Sequence, residues 1–136
     1  MFGLSANDVL VGSAGNDLYN GGAGSADTAS FAGSPAPVNV NLTAGTSFGE
    51  GSDVLALGTV ERVAGSRFND QIVGNALSNV LNGNLGNDRI WGLAGNDSVL
   101  GSSGNDLLSG GAGNDLANGS LGLDGCAAEV EVSCEF

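Results

Sequence analysis

The sequence has no lysine and no histidine, and its only cations are Arg62, Arg67 and Arg89. Against 15 acids they leave a formal net charge of -12. So few cations cannot neutralise a run of phosphates, which argues against nucleic acid and against anionic membrane surfaces as partners. Without histidine or lysine there is no His-based triad, no His-ligated zinc and no Schiff-base chemistry. Proline and cysteine occur twice each, and aromatic residues make up 5%. No apolar run reaches the roughly 18 residues of a membrane span, so none is expected. Gly3 and Asn7 break any apolar run at the start, so the opening residues do not read as an export leader. An exported product would then be a mature piece, a fragment, or the cargo of another route.

What is abundant is glycine, 25 residues of 136, well above the usual share of about 7%. Asn occurs 15 times and Asp 10 times. The length suits one domain. Carboxylates without cations need another positive charge, and protons or metal ions are the choices.

The glycines recur every nine residues. Gly65, Gly74, Gly83, Gly92, Gly101, Gly110 and Gly119 form one series, and Gly3, Gly12 and Gly21 another. The sixth residue of each unit is Asp at Asp8, Asp17, Asp70, Asp88, Asp97, Asp106, Asp115 and Asp124, with Asn79 as the substitution. One extra residue delays the third N-terminal acid to Asp27. The fourth residue is often Gly and the fifth usually Asn. The eighth is usually apolar: Leu10, Tyr19, Ile72, Leu81, Ile90, Val99, Leu108, then Ala117 and Cys126. Gly and Asn tolerate left-handed backbone angles, so the first six residues read as a tight turn. The last three read as a short strand whose middle residue points inward. One unit cannot bury its apolar residue, but stacked units can. The reading is all-β: a parallel β-roll (β-solenoid) of nine-residue repeats with two walls and 18 residues per coil.

This unit resembles the G-G-x-G-x-D-x-U-x nonapeptide of RTX, or haemolysin-type calcium-binding, proteins. Its best copy runs from Gly110 to Asn118, and the resemblance covers residues 3–29 and 65–127. A second Gly occurs only at Gly22 and Gly111, and Ala6, Phe68 and Leu77 replace the fourth Gly in three copies, which predicts poor metal binding in those turns. The resemblance implies turn carbonyls as further ligands: Gly83 and Leu85, Gly92 and Ala94, Gly101 and Ser103, Gly110 and Ala112. It also implies extracellular delivery from a bacterium, often by type I secretion.

In a two-wall coil, units two apart stack on one side about 4.8 Å from each other. Carboxylates that close repel unless a cation lies between them. Calcium suits such a site, since it takes six to eight oxygens in flexible geometry, whereas magnesium wants a stricter octahedron. One stack holds Asp70, Asp88, Asp106 and Asp124, the other Asn79, Asp97 and Asp115. The bridges 70/88, 79/97, 88/106, 97/115 and 106/124, with one between Asp8 and Asp27, predict about five or six calcium ions. The plain alternative is that each Asp merely caps its own turn.

Residues 30–64 break the period, since Gly21 and Gly65 are 44 apart, and Pro35 and Pro37 open the break. Strands are expected at Val38–Leu42, Asp53–Leu57 and Thr59–Val63, as wider coils of the same domain. Asp53 either holds an ion or is a solvated turn residue. Cys126 and Cys134 suggest a disulfide, with residues 128–136 as a cap over an open edge, or else free thiols. Trp91 and Arg89 share an outward face: a ligand face, or a shield for the sheet.

These features predict a calcium-binding module of an exported bacterial protein that folds on calcium and serves a structural or binding role, not a catalytic one. A neighbouring domain or an extracellular polysaccharide is the partner to consider, the latter if the chain is a carbohydrate-binding module. A carboxylate-pair hydrolase would have to draw on Glu50, Glu61, Glu129, Glu131 or Glu135, none of which sits in a recognisable constellation.

Overall fold

A computed structural model describes residues 1–49, 51–128 and 130–134. Among them the regular structure is entirely strand. The N-terminal strands are β1 (Val9–Val11), β2 (Leu18–Tyr19), β3 (Thr28–Ser30), β4 (Asn39–Asn41), β5 (Thr46–Phe48), β6 (Ser52–Leu55) and β7 (Arg62–Ala64). The C-terminal strands are β8 (Gln71–Val73), β9 (Val80–Leu85), β10 (Arg89–Ala94), β11 (Ser98–Ser103), β12 (Leu107–Ala112), β13 (Leu116–Leu121), β14 (Gly125–Ala127) and β15 (Val130–Val132).

The strands form the two walls of a parallel β-solenoid with about 18 residues per coil. One wall runs β1-β3-β7-β9-β11-β13-β15 and the other β14-β12-β10-β8-β4-β5-β6-β2. The register follows the repeat: Ile72 pairs with Ile90, Ile90 with Leu108, and Leu81 with Val99. Identical positions therefore stack, which is what makes a ladder of any side chain at a fixed place in the unit.

The eighth position supplies the core. Leu10, Tyr19, Ile72, Leu81, Ile90, Val99, Leu108 and Ala117 are all buried, and Cys126 packs against them. Burying one large apolar side chain contributes about 1.5–3 kcal/mol. A single inward residue per wall and coil is a thin core for the C-terminal units. The N-terminal half is better filled, with Phe31, Val38, Val40, Leu42, Leu55 and Val60 also buried and the rings of Tyr19 and Phe31 5.3 Å apart.

Several features differ from the sequence reading. In β9 to β13 the strands are six residues long and run on through the first three positions of the next unit. At these corners glycine at the first position leaves room for the turn's own acid: a Cβ on Gly83 or Gly101 would collide with Asp88 or Asp106. The second difference is β5, which pairs antiparallel with both β4 and β6, so this part of the roll is not parallel. Gly45 and Gly49, both at positive φ, turn the chain back on itself on either side of β5. The excursion fills a wall, and β2 pairs with β6 at Tyr19 and Leu55. The expected strand at 59–63 begins later, at Arg62.

At the other end Cys126 and Cys134 form a disulfide with Cα atoms 5.8 Å apart. It ties β14 to the residues after β15, which lies on the edge of β13. Phe136 lies outside the described residues.

Candidate metal centre

The sixth-position side chains point into the roll at its corners. Asp70, Asp88, Asp97, Asp106, Asp115 and Asp124 are all buried. Each uses one oxygen to bind the coil before it. The N–H of Asp70 donates to Asp88 Oδ1, that of Asp88 to Asp106 Oδ1, and that of Asp106 to Asp124 Oδ1, each at 2.8 Å. On the other corner the N–H of Asn79 donates to Asp97 Oδ1 and that of Asp97 to Asp115 Oδ1, also at 2.8 Å. The stacks are those that the spacing groups together.

The ladders continue into the irregular half. Asp8 N–H donates to Asp27 Oδ1 at 2.8 Å, and Asp27 N–H to Glu61 Oε2 at 3.0 Å. Asn79 Nδ2 then reaches the Glu61 carbonyl at 3.4 Å. Glu61 thus fills an acid's place where the repeat is broken, a role the sequence reading missed. Its position 18 residues before Asn79 was the available signal. Asp17 N–H donates to Asp53 Oδ1 at 3.0 Å, and the Ser47 hydroxyl to Asp53 Oδ2 at 2.8 Å. Asp53 is therefore a buried, satisfied acid and not a solvated one. Glu131 is exposed on β15, and Glu50, Glu129 and Glu135 lie outside the described residues.

The second oxygen divides the turns. Among the described residues, Oδ2 of Asp27, Asp88, Asp97, Asp106 and Asp124 is buried with no hydrogen-bond partner. A buried, unsatisfied carboxylate oxygen is costly unless a cation meets it. Outside, the fifth-position Asn residues form an exposed ladder of their own: Asn87 N–H donates to Asn69 Oδ1 at 2.8 Å and Asn105 N–H to Asn87 Oδ1 at 2.9 Å.

A family model of the RTX calcium-binding nonapeptide repeat matches residues 1–25, 64–99, 73–108 and 91–125, more than half of the chain. The chain belongs to this RTX family. A comparison with curated proteins gives no match.

RTX repeats bind calcium. The donor set of this RTX roll fits a hard cation, because carboxylate and carbonyl oxygens face the turns. A methyl on Gly92 would meet both Asp97 Oδ2 and the carbonyl oxygen of Gly110, so two oxygens converge on the space that glycine leaves. A Cβ added to Gly65 would likewise lie 2.6 Å from Asp70 Oδ2 and 2.7 Å from the Gly83 carbonyl, but there the Ser66 N–H already donates to that Oδ2. Leu85, Ala94, Ser103 and Ala112 end β9 to β12 at the same corners. The Ser103 and Ala112 carbonyls accept N–H bonds from Gly86 and Gly95 and keep a second lone pair. Among the described residues no three Asp, Glu, Cys or His side chains gather at one point. The oxygens available to an ion are thus single carboxylates of stacked turns together with backbone carbonyls.

The electrostatics agree. Burial pushes the Asp88 carboxyl up to about 7, aided by the charges of Asp70 and Asp106 and opposed by the hydrogen bond from Asp70. Burial likewise raises Asp70, Asp97 and Asp106. Arg89 and Trp91 do face outward on β10, Arg89 exposed and Trp91 half-buried, in register with Leu107 and Ser109 of the next coil.

Proposed function

We propose that this RTX roll is a calcium-folded structural or binding module of an exported bacterial protein. Its ions lie between stacked turns, bound by the sixth-position acids and the first- and third-position carbonyls. The observation that carries this reading is the column of buried carboxylate oxygens without partners along both corners. They repel one another in the absence of a cation, and the single apolar residue per unit is a weak counterweight. Metal-binding energy then becomes folding energy. Extracellular modules of this ion class bind at about 0.1–1 mM, so calcium-dependent folding is absent at cytosolic calcium and complete outside. No ligand-binding or catalytic step is needed for that role.

The test is a calcium titration followed by far-UV circular dichroism, with EDTA as the zero point. The expected result is a cooperative gain of β signal. The same spectrum in EDTA and in calcium would overturn the reading.

A further inference from the structure

The ten repeat turns are of two kinds, and a single backbone angle separates them. In the turns ending at Asp8, Asp17, Asp70 and Asn79, the second-position N–H points at the turn's own sixth residue. Leu4 N–H donates to Asp8 Oδ2 at 3.0 Å, Ser13 N–H to Asp17 Oδ2 at 2.9 Å, Ser66 N–H to Asp70 Oδ2 at 2.5 Å, and Asn75 N–H to Asn79 Oδ1 at 2.9 Å. In the other turns the second residue has positive φ: Gly22 85°, Asn84 77°, Leu93 84°, Ser102 82°, Gly111 106° and Ser120 74°. That rotation takes the N–H away. Gly22 and Asn84 instead donate to Asn20 and Asn82 Oδ1, at 3.0 and 2.9 Å. Oδ2 of Asp27, Asp88, Asp97, Asp106 and Asp124 is then left bare.

The closed turn at Asp70 has also used its other acceptors. Asp70 Oδ1 accepts from both Val38 N–H and the Ser66 hydroxyl, at 2.8 and 2.7 Å. The Gly65 carbonyl, a first-position oxygen, accepts Asn84 Nδ2 at 2.6 Å. An N–H already stands where a cation would need a free lone pair.

We infer that the roll is divided near residue 80 into a metal-free platform and a calcium-dependent extension. This rests on the calcium reading above and narrows it. Stacked pairs in which both turns are open are 83–88 on 101–106, 101–106 on 119–124, and 92–97 on 110–115. Three inter-turn ions therefore replace the five that spacing alone allows in this series, and the 70/88 and 79/97 places stay empty. Asp27 has no open turn stacked on it, since its neighbours are the closed Asp8 turn and Glu61. The platform holds the larger core, with Tyr19, Phe31, Val38, Val40, Leu42 and Leu55. It carries seven acids and two of the three arginines, whereas residues 80–136 carry eight acids and one arginine. The half with fewer buried apolar side chains and more net charge is the half in which open turns stack on one another.

Hydrogen exchange on the full chain, with EDTA and with calcium, tests the division. The expected result in EDTA is protection within residues 1–79 and fast exchange beyond, with calcium restoring the second half. Equal loss of protection in both halves, reversed by calcium, overturns the division and leaves the calcium reading standing. No effect of calcium in either half overturns both. Native mass spectrometry at saturating calcium gives the second arm. Asp70→Asn keeps the full ion number, and Asp106→Asn, which retains an Oδ1 acceptor for Asp88, loses ions. Loss of an ion from Asp70→Asn overturns the division.

Discussion

Asp106 Oδ1 accepts the N–H of Asp88 at 2.8 Å, while Oδ2 of the same buried carboxylate has no partner. One oxygen is used by the polypeptide, and the other is the one proposed to meet a cation. The two functions separate chemically. Asp106→Asn keeps an oxygen acceptor for Asp88 and removes the charge. Its expected effect is a loss of at least about tenfold in apparent calcium affinity, in line with what disturbed metal shells cost. In metal-free buffer the same variant is as stable as the parent or more so, because a repulsion has been removed. A calcium midpoint left in place would count against Asp106 as a ligand.

The metal-free roll gains stability on acidification. The folded Asp88 carboxyl sits at about 7 against an ordinary 3.8, raised first by burial and then by Asp70 and Asp106. Asp97 and Asp106 are raised for the same leading reason. The folded form therefore binds protons that the unfolded chain releases. Stability rises as pH falls from above about 7 towards 4, and is lost as pH climbs back through that window. Calcium competes for the same oxygens, so its apparent affinity falls as pH drops below about 7. Denaturant melts in metal-stripped buffer at pH 5 and pH 8 check the sign, and a higher midpoint at pH 8 would contradict it.

Much of this was legible from spacing. Nine-residue glycine periodicity places Ile72, Ile90 and Leu108 in one inward column and Asp88 and Asp106 in one stack, because a solenoid turns sequence period directly into spatial neighbourhood. What spacing does not carry is the backbone conformation at a single position. Ser66 and Ser102 occupy the same place in their units, yet Ser66 donates its N–H to Asp70 and Ser102 is left-handed at φ 82°. Residue type does not separate them. What separates them is strand length, because β7 stops at Ala64, before Ser66, where β11 runs on through Ser102 to Ser103. The antiparallel β5 was hidden for a different reason. Thr46-Ser47-Phe48 offers no apolar alternation, and it is held by Ser47 donating to Asp53 across the hairpin. Glu61 was hidden because the glycines around it leave the nine-residue frame.

Reducing the disulfide separates two effects at the C-terminal end. Cys126 and Cys134 are eight residues apart, and closing so short a loop is worth about 2–3 kcal/mol on chain entropy. β15 also pairs with the edge of β13, Leu116 to Val130 through Asn118 to Val132. In calcium, a reductant or the Cys126→Ser, Cys134→Ser pair lowers the thermal midpoint and exposes the β13 edge. Because folding and calcium binding are coupled, the calcium midpoint also moves to higher concentration. Unchanged melting in reductant would show that the bond contributes nothing to holding β15.

First-position glycines are retained for space and not for backbone freedom. Gly101 is not at positive φ, yet a Cβ there would run into the Asp106 carboxylate. That carboxylate cannot retreat, since its Oδ1 is fixed to Asp88. Gly101→Ala therefore costs about 1–3 kcal/mol, the usual cost of overpacking. It also weakens calcium binding, because the oxygen that moves is the one without a partner. Gly33, where an added Cβ meets nothing within 4 Å, serves as the control, and Gly33→Ala leaves both quantities near the parent values. Denaturant midpoints and calcium titrations on the two variants decide the matter. If Gly101→Ala behaves like Gly33→Ala, the carboxylates have freedom that the ladder denies them, and the corner is softer than its hydrogen bonds imply.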